Sequence, residues 1–267
     1  MAKQVNEFAI IDGANEEELL SMLAELDPPH TCLYLEPVQP ELVNLAPYLV
    51  QLTDEVKEWL SLRTSLWGIY ITSTQDLQSV RRHLRKFLQV QLPNEEKPVF
   101  FRFYDPRNVW DLTDVLTDWE LHNFLGPIED VATVMDGQPR SDNFQQRREA
   151  FPKDTSSKSK MMRFNAVHMD KFSAIFEARY IAKLHTLFPG IAANNDLFLG
   201  ELFRYVKAFG ITDDRSVRGI ARLCEERGLS DLDSFKRNYA GAIQDESEVG
   251  HYRAEALLIR ELGYVPA

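Results

Sequence analysis

Leu66-Trp67-Gly68-Ile69-Tyr70-Ile71, followed by Thr72-Ser73-Thr74 and then by Leu77, Val80, Leu84, Phe87 and Leu88, decides the fold class of this chain. The first run is almost continuously apolar, as a strand covered on both faces is. The hydroxyl residues after it are N-cap candidates. The apolar residues that follow recur at helical spacing and predict a helix over 74–88 with one buried face. A strand running into an amphipathic helix is the building unit of an α/β layer.

The same alternation extends in both directions. Upstream, Phe8-Ala9-Ile10-Ile11 reads as a strand stopped by Asp12-Gly13, and Leu19, Leu20, Leu23 and Leu26 as a helix with Glu16, Glu17 and Glu18 in its first turn, ended by Asp27-Pro28-Pro29. Cys32-Leu33-Tyr34-Leu35 and Tyr48-Leu49-Val50-Gln51-Leu52 read as further strands, and Thr53 or Asp54 as the cap of a helix through Val56, Trp59, Leu60 and Leu62. Downstream, Pro98 to Tyr104 reads as a strand, with Arg102 and Tyr104 on one face and Phe101 and Phe103 on the other. Asp105-Pro106 then opens a helix, Asp as N-cap and Pro at the first helical position, where a missing N–H costs nothing. A short helix around Trp119 to Leu125 and an edge strand over Ile128 to Val134 complete the pattern.

Residues 136–162 are polar, with a Lys/Ser-rich stretch at Ser156 to Lys160, and read as a linker or long loop. From Val167 onward no strand pattern recurs. About five helices are expected, one ending near Pro189-Gly190 and one capped by Gly210. Thr212 and Ser230 are the N-cap candidates for the two that follow. The expected architecture is an α/β N-terminal lobe at 1–135, a mixed sheet with flanking helices, then the 136–162 linker and an all-α C-terminal lobe at 163–267.

The 267 residues carry a net charge of −11, unevenly placed. Residues 1–152 hold 13 Lys+Arg against 25 Asp+Glu, and residues 153–267 hold 17 against 16. That balance argues against a general nucleic-acid binder, which needs a broad basic excess. No apolar run approaches membrane-spanning length. The opening Met1-Ala2-Lys3-Gln4-Val5-Asn6-Glu7 has no apolar core of the secretory kind. Cys32 and Cys224 stand far apart with no CxxC, as reduced cytosolic thiols do.

The chain has no GxxxxGK[ST], GxGxxG after a strand, GxSxG or HExxH. No two of His30, His83, His122, His168, His185 and His251 fall at i, i+3 or i, i+4, so no local helical metal pair exists and neither metal nor cofactor is expected. His30 and Cys32 would share a strand face, a weak hint of a nucleophile against the ordinary use of Cys as a small core residue. Asp12, Glu36, Asp105 and Asp111 are the carboxylates a hydrolase would call on, yet strand-end and cap roles account for each. No catalytic residue is assigned.

Two charged features remain. Arg81, Arg82, Arg85 and Lys86 put four cations into six residues of an acidic lobe, a candidate dock for an acidic partner. The same charges suit a solvated face near a helix C-terminus. Arg102, Tyr104, Asp105, Pro106 and Arg107 form a candidate structural motif, an ion pair fixing the strand–helix junction. Trp59, Trp67, Trp110 and Trp119 all lie in the first lobe, and any exposed one would serve as an interface anchor.

The order of segments resembles the type VI secretion effector-adaptor family, also called effector chaperones. The resemblance is carried by Phe8 to Ala14, Leu33-Tyr34-Leu35-Glu36-Pro37, Leu45 to Val50, Trp67 to Ser73, Arg81 to Val90, Phe101-Arg102-Phe103-Tyr104-Asp105-Pro106-Arg107 and Phe124 to Ile128, so it covers about residues 7–130. It implies a non-enzymatic cytoplasmic protein of a Gram-negative bacterium, serving interbacterial competition. Such a protein binds a toxic effector and loads it onto the spike-tip (VgrG-type) protein, with no nucleic-acid partner and no membrane insertion. An immunity or regulatory protein that inhibits one toxin is the alternative, and a carboxylate-dependent hydrolase a more distant one.

Overall fold

Strand β1 (Asn6–Asp12) feeds two cores at once. Phe8 and Ile10 point into one apolar cluster, and Ala9 and Ile11 into another, because successive strand side chains alternate between faces. This explains why the run is apolar without interruption: neither face meets water. The computed structural model describes residues 5–35, 37–152 and 161–266. The chain divides into two compact units, Met1–Phe172 and Ser173–Ala267.

The first unit is built on a six-stranded sheet of order β2-β3-β1-β4-β7-β8, with β2 (His30–Cys32), β3 (Pro47–Gln51), β4 (Gly68–Ser73), β7 (Ile128–Met135) and β8 (Gln138–Asp142). Neighbouring strands are all antiparallel. A smaller sheet, β6-β5-β9, joins β5 (Gln89–Gln91) to β6 (Val99–Phe100) antiparallel and to β9 (Met162–Arg163) parallel. Helices α1 (Leu19–Leu26) and α3 (Asp54–Ser61) cover one face of the large sheet through Leu19, Met22, Leu23, Val56 and Leu60. Helices α4 (Leu77–Leu84), α5 (Pro106–Val115) and α6 (Asp118–Leu125) cover the other through Val80, Leu84, Val109, Leu112, Leu121 and Phe124. Two one-turn helices, α2 (Pro40–Val43) and α7 (Gln145–Arg148), lie on connections. At Gly68 (φ +154°) a Cβ would stand 1.9 Å from the Ile10 carbonyl oxygen, so glycine lets β4 start hard against β1.

The second unit is entirely helical among its described residues. It contains most of α8 (Ala166–Leu187), then α9 (Pro189–Asn194), α10 (Phe198–Ala208), α11 (Asp214–Glu226), α12 (Leu232–Gln244) and α13 (Gly250–Leu262). Its core is formed by Phe198, Leu202, Val206, Val217, Ile220, Phe235, Ile243, Leu257 and others at helical spacing. The α/β-then-α architecture is therefore the one the sequence pattern predicts.

Several local expectations shift. The helix expected over 74–88 is capped by Asp76, whose carboxylate accepts the Ser79 N–H at 2.8 Å, and it tightens into a 3-10 turn at Arg85–Phe87. Asp213 and Asp231 displace Thr212 and Ser230 as caps of α11 and α12. In each case an ionised oxygen outcompetes a nearby hydroxyl at the positive end of the helix. Glu16, Glu17 and Glu18 precede α1 rather than opening it: Glu16 is buried against the Ser65 hydroxyl (2.6 Å), and Glu18 pairs with Arg63. The strand expected to Tyr104 stops at Phe100, and both Phe103 and Tyr104 are buried. The strand expected at the sheet edge, β7, is interior, because β8 lies outside it. The five residues of β8 are all exposed, so no apolar alternation marks them as a strand inside the polar 136–162 stretch. Its Lys/Ser-rich part, with Lys158 and Lys160, lies outside the described residues, as does Glu36.

Candidate partner-binding surface

The charged residues of the first unit fall into two arrangements. At the C-terminal end of β1, Asp12 is fully buried and pairs with the Arg102 guanidinium. Its other oxygen accepts the Ala14 N–H at 3.1 Å. Burial raises the Asp12 carboxyl above the ordinary range, outweighing the bond and charge of Arg102. A few residues on, Asp105 caps α5 through the Arg107 N–H (2.9 Å) and takes both arms of the Arg107 side chain, at 2.9 and 2.5 Å. Burial works against the ionised Asp105 too, but here the side-chain and backbone bonds of Arg107 win and hold the carboxyl below its usual range. The single junction pair expected from the sequence is thus two pairs, and Arg102 reaches back to a residue 90 positions earlier. Tyr104 is buried too, its phenol pushed up by that burial. Pro106 takes the first position of α5, as its sequence predicts. Both carboxylates are spent on the turn, while the Arg102 Nε is buried without a hydrogen-bond partner.

Helix α4 presents the opposite case. Its inner face carries Val80, His83 and Leu84. His83 Nε2 donates to the Phe124 carbonyl at 2.7 Å, and burial, with smaller contributions from Lys86 and Arg148, lowers its pKa to about 4. The ring lies where a Cβ on Gly126 (φ +50°) would be, 2.2 Å from Cε1, so α4 is locked onto the end of α6. The outer face of α4 and of the 3-10 turn that continues it carries Gln78, Arg81, Arg82, Arg85 and Lys86, which line a shallow concavity of about 470 Å³. The sequence-predicted cations are therefore brought together on one surface. Arg81 also braces the fold, its Nε donating to the Cys32 carbonyl at 2.8 Å.

The other sequence candidates do not converge on a site. His30 Nδ1 bonds the Pro28 carbonyl at 2.8 Å, and the Cys32 sulfur accepts the Tyr34 N–H at 3.4 Å. Asp111 is buried within α5. Among the described residues no group of three His, Cys, Asp or Glu could hold a metal ion. None of their helices is long and apolar enough to cross a membrane. Of the four tryptophans Trp119 is the most open, 38 % exposed, and it stacks on His122. Two features have no local sequence signal: Phe100, half-exposed and edge-on to Tyr34 at 5.2 Å, and the reach of Arg102 to Asp12. Alternation alone does not say which side of a two-residue strand faces water.

Residues 7–123, from β1 to the sixth residue of α6, match the model of a domain of unknown function, DUF4123. The matched stretch holds both the buried ion pairs and the basic face of α4. Accessory protein VasW of Vibrio cholerae serotype O1 is 32 % identical to this chain over 96 residues, a stretch that covers 35 % of this chain and 32 % of that protein. Both similarities support the type VI secretion effector-adaptor resemblance carried by the N-terminal motifs. The alignment thus spans about a third of the curated relative's length. No solved structure matches.

Proposed function

We propose that this chain is a non-enzymatic adaptor of type VI secretion, which binds a toxic effector in the cytoplasm and loads it onto a VgrG-type spike-tip protein. The DUF4123 match over residues 7–123 carries the reading, together with the similarity to a protein named as an accessory protein. The chemistry of the first unit favours binding over turnover. A hydrolase needs carboxylates facing a cleft with room for substrate. Here Asp12 and Asp105 are turned inward onto arginines, whereas the concavity on α4 is lined by four cations and a glutamine.

The test is reconstitution. The purified chain is mixed with the effector and the spike protein of its native cell, and the complexes are sized by light scattering after gel filtration. A ternary complex that leaves effector activity intact is expected. A binary complex that abolishes effector activity and excludes the spike protein would make the chain an immunity protein instead.

A further inference from the structure

Most arginines of the acidic unit are occupied, the exposed Arg163 at the end of β9 apart. Arg63 pairs with Glu18, Arg102 with Asp12, Arg107 with Asp105 and Arg147 with Asp118. Arg140 lies over the Trp110 ring at 4.0 Å, and Arg148 donates to the carbonyls of Ile128 and Gly126 at 2.7 and 2.9 Å. Arg82 and Arg85 break that pattern, and Lys86 joins them: none of the three has a carboxylate within 4 Å among the described residues. They line the α4 concavity together with Gln78 and Arg81. The first unit, with 27 Asp+Glu against 18 Lys+Arg, leaves these three cations with no carboxylate within 4 Å among the described residues and sets them in a hollow.

We infer that the α4 concavity is the docking site for an acidic segment of a partner polypeptide, held by Arg82, Arg85 and Lys86, with Arg81 shared between the fold and the ligand. Charge complementarity selects the occupant. Two guanidiniums and an ammonium on one helical face match carboxylates spaced along an extended or helical peptide. A nucleic acid would bring a continuous line of phosphates against a chain of net charge −11, whose repulsion outside the hollow opposes binding. A solvated helix end would explain cations near the C-terminus of α4, but not three of them beside one shallow concavity of about 470 Å³ with no carboxylate within 4 Å among the described residues. The inference deepens the adaptor reading by naming the chemistry of one partner contact, and it rests on that reading only for the partner's being a polypeptide.

The experiment titrates the full chain into a short fluorescein-labelled peptide rich in Glu and Asp, with its Gln/Asn counterpart and a single-stranded DNA of equal charge as companions, read by anisotropy. The acidic peptide should bind, weaken as salt rises above about 0.15 M, and exceed the Gln/Asn peptide by about tenfold or more. R82E/R85E/K86E should bind it at least about tenfold more weakly, with an unchanged urea midpoint. Arg81 is left in place to keep its bond to Cys32. Should the triple variant unfold, the milder R85A/K86A variant is expected to lose about threefold. Equal affinity in a folded variant, no binding of the acidic peptide, or tighter binding of the DNA would overturn the proposal. Peptide binding without a ternary complex would sink the adaptor reading and leave this site standing.

Discussion

The junction at Asp12, Arg102, Asp105 and Arg107 and the outer face of α4 use the same kinds of residue to opposite ends. At the junction each guanidinium faces a carboxylate that is itself almost wholly buried, 0 % exposed for Asp12 and 3 % for Asp105. Such pairs are scaffold: each carboxylate is committed to its arginine and to a backbone N–H of the turn, and removing the arginine strands a buried charge. On α4, Arg82, Arg85 and Lys86 line an open hollow with no carboxylate within 4 Å among the described residues. Burial of the partner, more than the presence of charge, separates a residue that holds the fold from one free to hold something else. The two acids at the junction sharpen this further. Asp105 is held below its ordinary range by two kinds of bond from Arg107, whereas burial prevails over Arg102 at Asp12.

The largest stability effect should come from the inward side of α4. His83 is half-buried and held neutral, its pKa lowered from 6.5 to about 4 by desolvation. The unfolded chain therefore binds a proton between those values that the folded chain refuses. The contribution is complete above pH 6.5 and falls away as pH drops toward 4, by roughly 3 kcal/mol. Urea unfolding across that interval should show the slope, and His83→Gln should flatten it.

Next comes the junction itself. Asp12→Ala should cost about 2–3 kcal/mol, less than for a fully buried pair because Arg102 keeps some access to water. The affinity for an acidic peptide should not change. A third effect lies at Glu120, which completes the capping box of α6 with Thr117 and accepts from His168, 3.0 Å away and buried. Burial disfavours the charged carboxylate, but the Thr117 bonds and His168 outweigh it and lower its pKa. Glu120→Ala should cost about 1–2 kcal/mol in chemical denaturation, since it loses the cap and strands a buried ring nitrogen. The smallest effect belongs to R82E/R85E/K86E, within about 0.5 kcal/mol of the parent in the same assay. A large destabilisation there would place the α4 cations with the scaffold and erase the contrast.

Much of this was legible in the residues, for identifiable reasons. Continuous apolar runs marked β1 and β4 because both faces are covered. Asp105-Pro106 marked the start of α5 because cap and first-turn chemistry are local. The clustering of Arg81, Arg82, Arg85 and Lys86 on one side follows from helical spacing, and with Gln78 they line one shallow hollow. What stayed hidden was long-range or polar. No spacing rule links Asp12 to Arg102. The polar stretch after Met135 looks like a tether, yet Arg147 donates to the carbonyls of Thr113 and Leu116, each at 2.7 Å, closing the end of α5. Side chains that satisfy backbone carbonyls have the composition of a loop while doing the work of a core.

The most direct test sets the two regions against each other: urea unfolding and acidic-peptide anisotropy on the parent, Asp12→Ala and R82E/R85E/K86E. The account predicts a crossed result, with Asp12→Ala losing stability and keeping affinity while the triple variant keeps stability and loses affinity. Both variants losing stability with affinity intact in the folded fraction would contradict it.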